Sequence, residues 1–245
     1  MNIYAKIVAV LLLVCMLLSI SACGSKNVND EIKETIPTTE APTTEAPTTE
    51  APTTEAPTEE PSEDAVIDFN RGNVDGNTYT NYLFGISCEL DDTWTIADEA
   101  QLAQQVGLTA DLFSGTKIED LIEQLGVAMI FMASRDDGTS ININLEKANS
   151  LITTQEDLNA AVDTLAAQMP AIFASSGIEN VESVAENMTF CGEEHYGIHT
   201  NIGGDGVAVY QRQVMLMAGG YIATITVSTA SADGTQEILD LFAPL

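Results

Sequence analysis

The chain has 245 residues, with 37 Asp and Glu against 8 Lys and Arg, a formal net charge of −29. Such a balance repels nucleic acid and anionic lipid headgroups, which excludes a nucleic-acid partner. It leaves either a solvated, self-repelling acidic surface or one that attracts cations or a basic partner.

Lys6 opens the chain, and no further charge appears until Lys26. Between them, Ile7 to Ile20 is almost wholly apolar. A run of about 14 residues makes roughly 20 Å of helix, short of the ~30 Å hydrocarbon core of a bilayer. A positive start, a short apolar core and small residues at its end describe a secretory signal peptide over residues 1–22 rather than a retained transmembrane anchor. The run closes on Ile20-Ser21-Ala22-Cys23. An aliphatic residue, two small ones and a cysteine at this place resemble the lipobox of bacterial lipoproteins. That resemblance implies cleavage before Cys23, a diacylglyceryl group on its sulfur, and attachment to the extracytoplasmic side of a bacterial cell membrane. Two acyl chains hold stably, since burial contributes ~0.8 kcal/mol per CH2. Loss of Lys6 leaves 37 acidic residues against 7 basic ones.

Residues 23–72 read as a disordered acidic tether. Thr38-Thr39-Glu40-Ala41-Pro42 recurs at 43–47, 48–52 and 53–57, and Thr58-Glu59-Glu60-Pro61 is a degenerate fifth copy. A proline in each short repeat continues no helix, and the repeat has no apolar face to bury. It favours extended polyproline II, in which about 40 residues at ~3.1 Å each reach on the order of 120 Å. Thr-Pro richness fits an O-glycosylated stalk or an unmodified spacer. Asn187-Met188-Thr189 matches an N-glycosylation pattern, which carries no weight in a bacterial lipoprotein.

Residues 73–245 have the length and patterning of one globular domain with a sizeable core. Tyr79 to Leu90 reads as a first extended segment, Asp91-Asp92 as a turn, and Trp94 as an apolar anchor. From Asp98 to Gly126 the pattern is helical in pieces, broken at Gly107 and Gly115. Val127–Ala133 is apolar on both faces, Asp136-Asp137-Gly138-Thr139 is a turn, and Ser140–Glu146 alternates strictly, which together predict a hairpin. Thr153 or Thr154, with Glu156 and Asp157, caps a long helix carrying Leu158, Ala161, Val162, Leu165, Met169, Ile172 and Phe173. Pro170 kinks or ends it, with Gly177 past its end. Strands follow at about 180–191, 195–202, 206–217 and 221–228, with turns at Gly203–Gly206 and Gly219-Gly220, and Asp233 caps a last helix. Short connections and helical crossovers make this an α+β fold, an antiparallel sheet with helices packed on it.

Tyr82-x-x-Gly85 before Trp94, the Ser140-Ile141-Asn142-Ile143 strand, and Gly192-x-x-x-Tyr196 leading into the last strands resemble the PsbP-like fold shared by DcrB-like bacterial lipoprotein domains. The resemblance implies a layered sandwich over most of residues 75–245. It implies no single chemistry, because that fold hosts unrelated roles.

Candidate chemistry is sparse. With Cys15 in the signal and Cys23 lipidated, Cys88 and Cys191 remain, either as a disulfide or as buried thiols. No Cys-x-x-Cys or Cys/His cluster points to zinc or redox work. His195 and His199 lie on one strand and share a face with Glu193 and Asn201. Side chains four apart on a strand are ~13 Å apart, too far to share an ion without ligands from a neighbouring strand. Asn142 and Asn144 form a second polar strand face; if it adjoins the first, Asn142, Asn144, His195 and His199 line a shallow polar groove. Asp136-Asp137-Gly138 and Asp205-Gly206 resemble calcium-loop residues but lack the acidic spacing of an EF-hand, so turn chemistry explains them. No phosphate-cradling Gly-rich loop is present, and Met129, Met132, Met169, Met215 and Met217 read as packing. The expected function is a non-enzymatic surface lipoprotein that needs no cofactor or metal. Its stalk presents an interaction domain to an envelope protein or cell-wall component. Alternatives are a small-ligand-capture lipoprotein beside a membrane complex and, behind it, a metal-dependent enzyme.

Overall fold

The computed structural model describes residues 71–204 and 207–245. The expected signal peptide, Cys23 and the repeats of the tether lie outside the described residues, as do Asp205 and Gly206. Among the described residues no helix is long and apolar enough to cross a membrane.

The chain begins with three short strands, β1 (Asn73–Asp75), β2 (Thr78–Asn81) and β3 (Ile86–Glu89), then β4 (Thr95–Ile96). Three short helices follow, α1 (Glu99–Gln105), α2 (Ala110–Gly115) and α3 (Ile118–Leu125). Next come the hairpin β5 (Val127–Ser134) and β6 (Ser140–Lys147), and the long α4 (Gln155–Ser175). A meander of β7 (Val181–Phe190), β8 (Glu193–Gly204), β9 (Val207–Ala218) and β10 (Tyr221–Ala230) leads to α5 (Thr235–Leu239) and β11 (Phe242–Pro244).

Local chemistry sets the helix ends. Asp98 and Gln101 form a reciprocal capping box at α1, with backbone-to-side-chain bonds of 2.8 and 2.9 Å. Gly126 at φ 84° closes α3 in a conformation that glycine adopts without strain. Of the two threonines expected to cap the long helix, Thr154 is the N-cap, and its hydroxyl accepts from the Asp157 amide at 3.1 Å. Asp157 in turn accepts from the amides of Thr153 and Thr154, both at 3.0 Å, which holds its carboxyl below the usual range. Pro170 lies inside α4 and does not end it; the helix runs on to Ser175.

Two antiparallel sheets result. The smaller has the order β1-β2-β3-β11; the larger has seven strands, β4-β5-β6-β10-β9-β8-β7. The helix α4 carries the chain from β6, inside the sheet, to the far edge at β7. The meander then returns strand by strand until β10 pairs with both β9 and β6. The expected α+β class is the class observed.

Each face of the large sheet has its own core. On one, Leu158, Val162, Ala166, Met169 and Phe173 of α4 pack on Ile198, Met215 and Ile222. On the other, Ile141, Ile143, Leu145, Val214, Ile225 and Val227 meet Tyr79, Ile86, Cys88 and Phe242 of the small sheet and Phe113, Leu121 and Leu239 of the helices. Ring contacts tie the two sheets, Tyr79 on Phe131 at 4.3 Å and Phe190 on Phe242 at 5.1 Å. Trp94 is buried under the Arg135 guanidinium, 4.4 Å from its ring centroid.

Three expectations are corrected. Residues 79–90 are not one extended segment but the hairpin β2–β3, which turns through Gly85 at φ 64°. Asp233 is not the N-cap of the last helix; Gly234 is, and Asp233 instead accepts bonds from the Thr235 amide and hydroxyl. The final residues, expected to end in helix, form β11, whose Phe242 pairs with Cys88. Cys88 and Cys191 are free thiols, and burial pushes them up to about 12 and about 11.

One close approach is testable. A Cβ on Gly197 of β8 would stand 2.3 Å from the Gln213 carbonyl oxygen and 2.9 Å from Met188 Cε. Gly197→Ala is expected to destabilise the domain by about 1–3 kcal/mol, read as a lower urea midpoint. An unchanged midpoint would mean that β8 and β9 are not packed this closely.

Candidate functional site

In an antiparallel sheet, directly paired residues share a face and neighbours in sequence alternate. The register therefore decides which polar side chains meet. Asn142 pairs with Thr226, Thr226 with Gln213, and Gln213 with Ile198. One step along, Asn144 pairs with Thr224 and Thr224 with Met215. One step the other way, Ser140, Ser228, Gln211, Thr200 and Ser183 form a row across five strands. Ile198 and Met215 belong to the core under α4, so all these side chains occupy the α4 face.

This polar face is buried rather than solvated. Asn142, Thr224, Thr226 and Gln213 are buried, and Asn144 and Gln211 are only 2% and 3% exposed. Its amides bond along the sheet. Asn144 Nδ2 donates to Asn142 Oδ1 at 2.9 Å, Gln213 Nε2 to Thr226 Oγ1 at 3.2 Å, and Gln211 Nε2 to Ser228 Oγ at 3.1 Å. The hydroxyls of Ser183 and Thr200 continue the row at 2.9 Å. Two buried acceptors, Asn144 Oδ1 and Gln211 Oε1, have no hydrogen-bond partner. Such an atom costs about 1–3 kcal/mol when left so. Glu146 closes the same face at the end of β6, and burial pushes its carboxyl up to about 7.

A second polar cluster sits on the opposite face. His199 Nδ1 is 3.3 Å from Glu186 Oε1, and its Nε2 is 3.2 Å from Asp233 Oδ2, although that second nitrogen is not aligned for a hydrogen bond. Arg212 lies beside both carboxylates, with Nη2 3.3 Å from Glu186 and Nη1 3.5 Å from Asp233, and it donates to Thr235 Oγ1 at 2.8 Å. Burial opposes ionisation of Asp233, but bonds from Thr235 and the charges of Arg212 and His199 outweigh it and lower its pKa. Glu186 and Asp233 approach different ring nitrogens, so they do not converge with His199 on one ion. Among the described residues no group of three His, Cys, Asp or Glu is placed to hold a metal. The cluster instead ties β7, β8 and β9 to the segment that opens α5.

His195 takes no part. It lies edge-on to Phe190, with centroids 5.7 Å apart. Desolvation lowers its pKa against the pull of Glu193. The expected groove of Asn142, Asn144, His195 and His199 is thus corrected. Ile198 is the β8 residue that shares a face with Asn142, so the odd-numbered histidines beside it point to the other side. The asparagines are also buried where a solvated face was expected. Their true companions, Gln211, Gln213, Thr224, Thr226 and Ser228, were visible as period-two polar residues in two strands. So were Glu186, Arg212 and Asp233 as isolated charges, but only the register and the return of the chain to α5 assemble them. Of the aspartates expected to serve a turn, Asp137 does so: it accepts from the Thr139 amide at 2.8 Å beside Gly138 at φ 86°.

No family model matches the chain, and no curated protein matches it in sequence. Among solved structures, LpqN, involved in cell envelope biogenesis of Mycobacterium tuberculosis, aligns at 12% identity with a TM-score of 0.35, covering 64% of this chain and 76% of that one. A protein from Bacteroides thetaiotaomicron aligns at 8% identity with a TM-score of 0.34; the match covers 69% of this chain but only 48% of that one. At these scores the likenesses bear neither on family nor on activity.

Glu146 gives a pH signature. Its folded pKa of about 7 lies above the ordinary 4.5, so the folded state holds a proton that the unfolded state releases. Stability is intact below the unfolded value and is lost as pH rises toward 7, by up to roughly 3 kcal/mol. Glu146→Gln is therefore expected to raise the melting temperature at pH near 8 and leave it almost unchanged at pH near 4. An equal effect at both, measured by thermal denaturation, would place the carboxyl in water.

Proposed function

We propose that this chain is a lipid-anchored lipoprotein on the extracytoplasmic side of a bacterial membrane, whose domain binds rather than catalyses. The anchor reading rests on Ile20-Ser21-Ala22-Cys23 behind a charged start and a short apolar core, and on a repeat that supplies distance from the lipid. The binding reading rests on one observation, the buried polar face of β6, β10 and β9 with its two unpartnered acceptors. A buried polar group without a partner calls for an explanation, and a ligand that completes its hydrogen bonds is one.

A catalytic reading finds less support. The His199 imidazole is bracketed by Glu186 and Asp233 in an ion network that fastens the C-terminal segment, and His195 stands apart against Phe190. The motif resemblance to PsbP-like domains, a fold without one fixed chemistry, fits a binding role equally well. Between the partner-protein and ligand-capture readings, buried polar side chains favour ligand capture, because protein partners are met by apolar and aromatic surface more than by buried amides.

Cys23→Ser tests the anchor. In a bacterial host fed a clickable fatty acid, the parent chain is expected to carry label and fractionate with membranes. The variant is expected to lose the label and leave the mature membrane pool, with the domain still folded by circular dichroism. A labelled or fully membrane-bound variant would mean that the apolar N-terminus itself is the anchor.

A further inference from the structure

We propose that the open edge of β7 docks an extended basic segment of a partner protein, which adds to the large sheet as a further strand. This goes beyond the binding role proposed above and stands on the margin of the sheet rather than its middle.

A sheet edge is a row of unpaired N–H and C=O groups, and it invites another strand unless it is short or blocked. Three of the four edges here are blunted. β1 and β11 have three residues each, with Pro244 in β11, and β4 has two. Among the described residues β7 is the exception. It runs for ten residues, pairs with β8 at every one without a bulge, and contains no Pro, Gly or Lys.

Hydrogen bonds show which backbone groups face outward. The Gly203 amide of β8 donates to the Asn180 carbonyl at 3.0 Å, so Asn180 faces β8. Direction alternates along an antiparallel strand. The even-numbered residues of β7 therefore bond to β8, and the odd-numbered ones present their N–H and C=O to the open side. Thr189 agrees, since its carbonyl accepts from Gln236 Nε2 of α5 at 2.8 Å. That bond closes one end of the edge and leaves it open from Val181 to Asn187.

Side chains then decide what fits. On the face away from α4, Glu182, Val184 and Glu186 form a row. Glu182 is exposed, Val184 is 53% exposed, and Glu186 keeps 36% of its side chain in water beside His199 and Arg212. On the α4 face, Val181 and Ala185 are half-buried against the core under the helix. Cross-strand neighbours share a face. A fitting strand thus carries a basic residue opposite each glutamate, an apolar one opposite Val184, and small residues toward α4. The net charge of −29 steers such a segment in. A second copy of this chain is a poor occupant. Antiparallel pairing of two β7 strands centred on Val184 sets Glu182 opposite Glu186 twice, and like charges directly opposite are destabilising.

The test uses the full chain in mild detergent and a fluorescent, capped seven-residue peptide with lysine second and sixth, valine fourth, and alanine or threonine elsewhere. The same peptide with glutamate for lysine is the charge control. The lysine peptide is expected to bind, more weakly as salt is raised, and to slow hydrogen exchange in the segment that holds β7. Ala185→Pro removes an outward N–H and spares the bonds to β8, so binding is expected to be lost with circular dichroism unchanged. Glu182→Lys, at an exposed position, keeps the test open if the proline variant folds poorly. It is expected to weaken the lysine peptide by about fivefold and to strengthen the glutamate one. No binding of the lysine peptide, equal binding of both peptides, or binding that both variants retain overturns the proposal. Protection of β7 that rises with protein concentration in the absence of peptide makes a second copy the occupant and overturns it too. None of these outcomes bears on the polar face, whose strands lie inside the sheet, or on the anchor, which is read in the labelling of Cys23.

Discussion

The pairing of β10 between β6 and β9 is the constraint on which the domain depends. It joins a local hairpin, β5–β6, to a meander that starts at the far edge of the sheet. Once Ile225 is set opposite Ile143 and Val214, every odd-numbered side chain of β10 from Ala223 to Val227 enters the core shared with the small sheet. The even-numbered ones then have nowhere to go but the α4 face. A shift of one residue would exchange Ile225 and Val227 for Thr224 and Thr226, moving hydroxyls into the apolar core and branched aliphatics out of it. The polar face is thus the second consequence of the choice that builds the core.

The same pairing explains why the C-terminal segment is fastened twice. Beyond β10 the chain must return across the large sheet to reach the small one. Arg212 and His199, on the face away from α4, hold its start through Asp233 and Thr235. Phe242, paired with Cys88 and packed on Phe190, holds its end. Between them, Leu239 is fully buried. The ion network includes partly exposed carboxylates, so its strength is moderated by water. Its geometric role, fixing where α5 begins, is shared by five side chains from four segments.

The class of the fold was legible because local signals agreed with it. The Ser140–Glu146 alternation, the Thr154–Asp157 cap and the glycine turns each specify their own element without reference to the rest of the chain. The parts that were not legible depend on pairing between distant segments. Nothing within Phe242–Pro244 marks a strand; it becomes one because β3 offers an open edge opposite it. Asn142 and Asn144 look like an outward face, since alternation with isoleucine ordinarily means one wet side. They are instead buried, at 3% and 2% exposure. His195 and His199 were correctly placed on one face of one strand. Which face that is relative to Asn142 turns on the parity of two intervening strands, and a sequence does not display parity.

A buried face made of amides and hydroxyls is a costly solution for a domain that also needs a stable core. Valine or isoleucine at Thr224 and Thr226 would serve the strand equally well and would leave no polar atom to satisfy. Part of the cost is offset by bonds along the rows, as between Gln213 and Thr226. Those bonds leave Asn144 Oδ1, Gln211 Oε1 and a carboxyl at Glu146 raised toward neutrality. Four other buried polar atoms without partners lie elsewhere among the described residues, at Trp94, Arg135, His199 and Asn201. Asn144 and Glu146 on β6 and Gln211 on β9 share the α4 face, with β10 between them. On the proposed binding role, a ligand that donates hydrogen bonds to that face would satisfy its two acceptors.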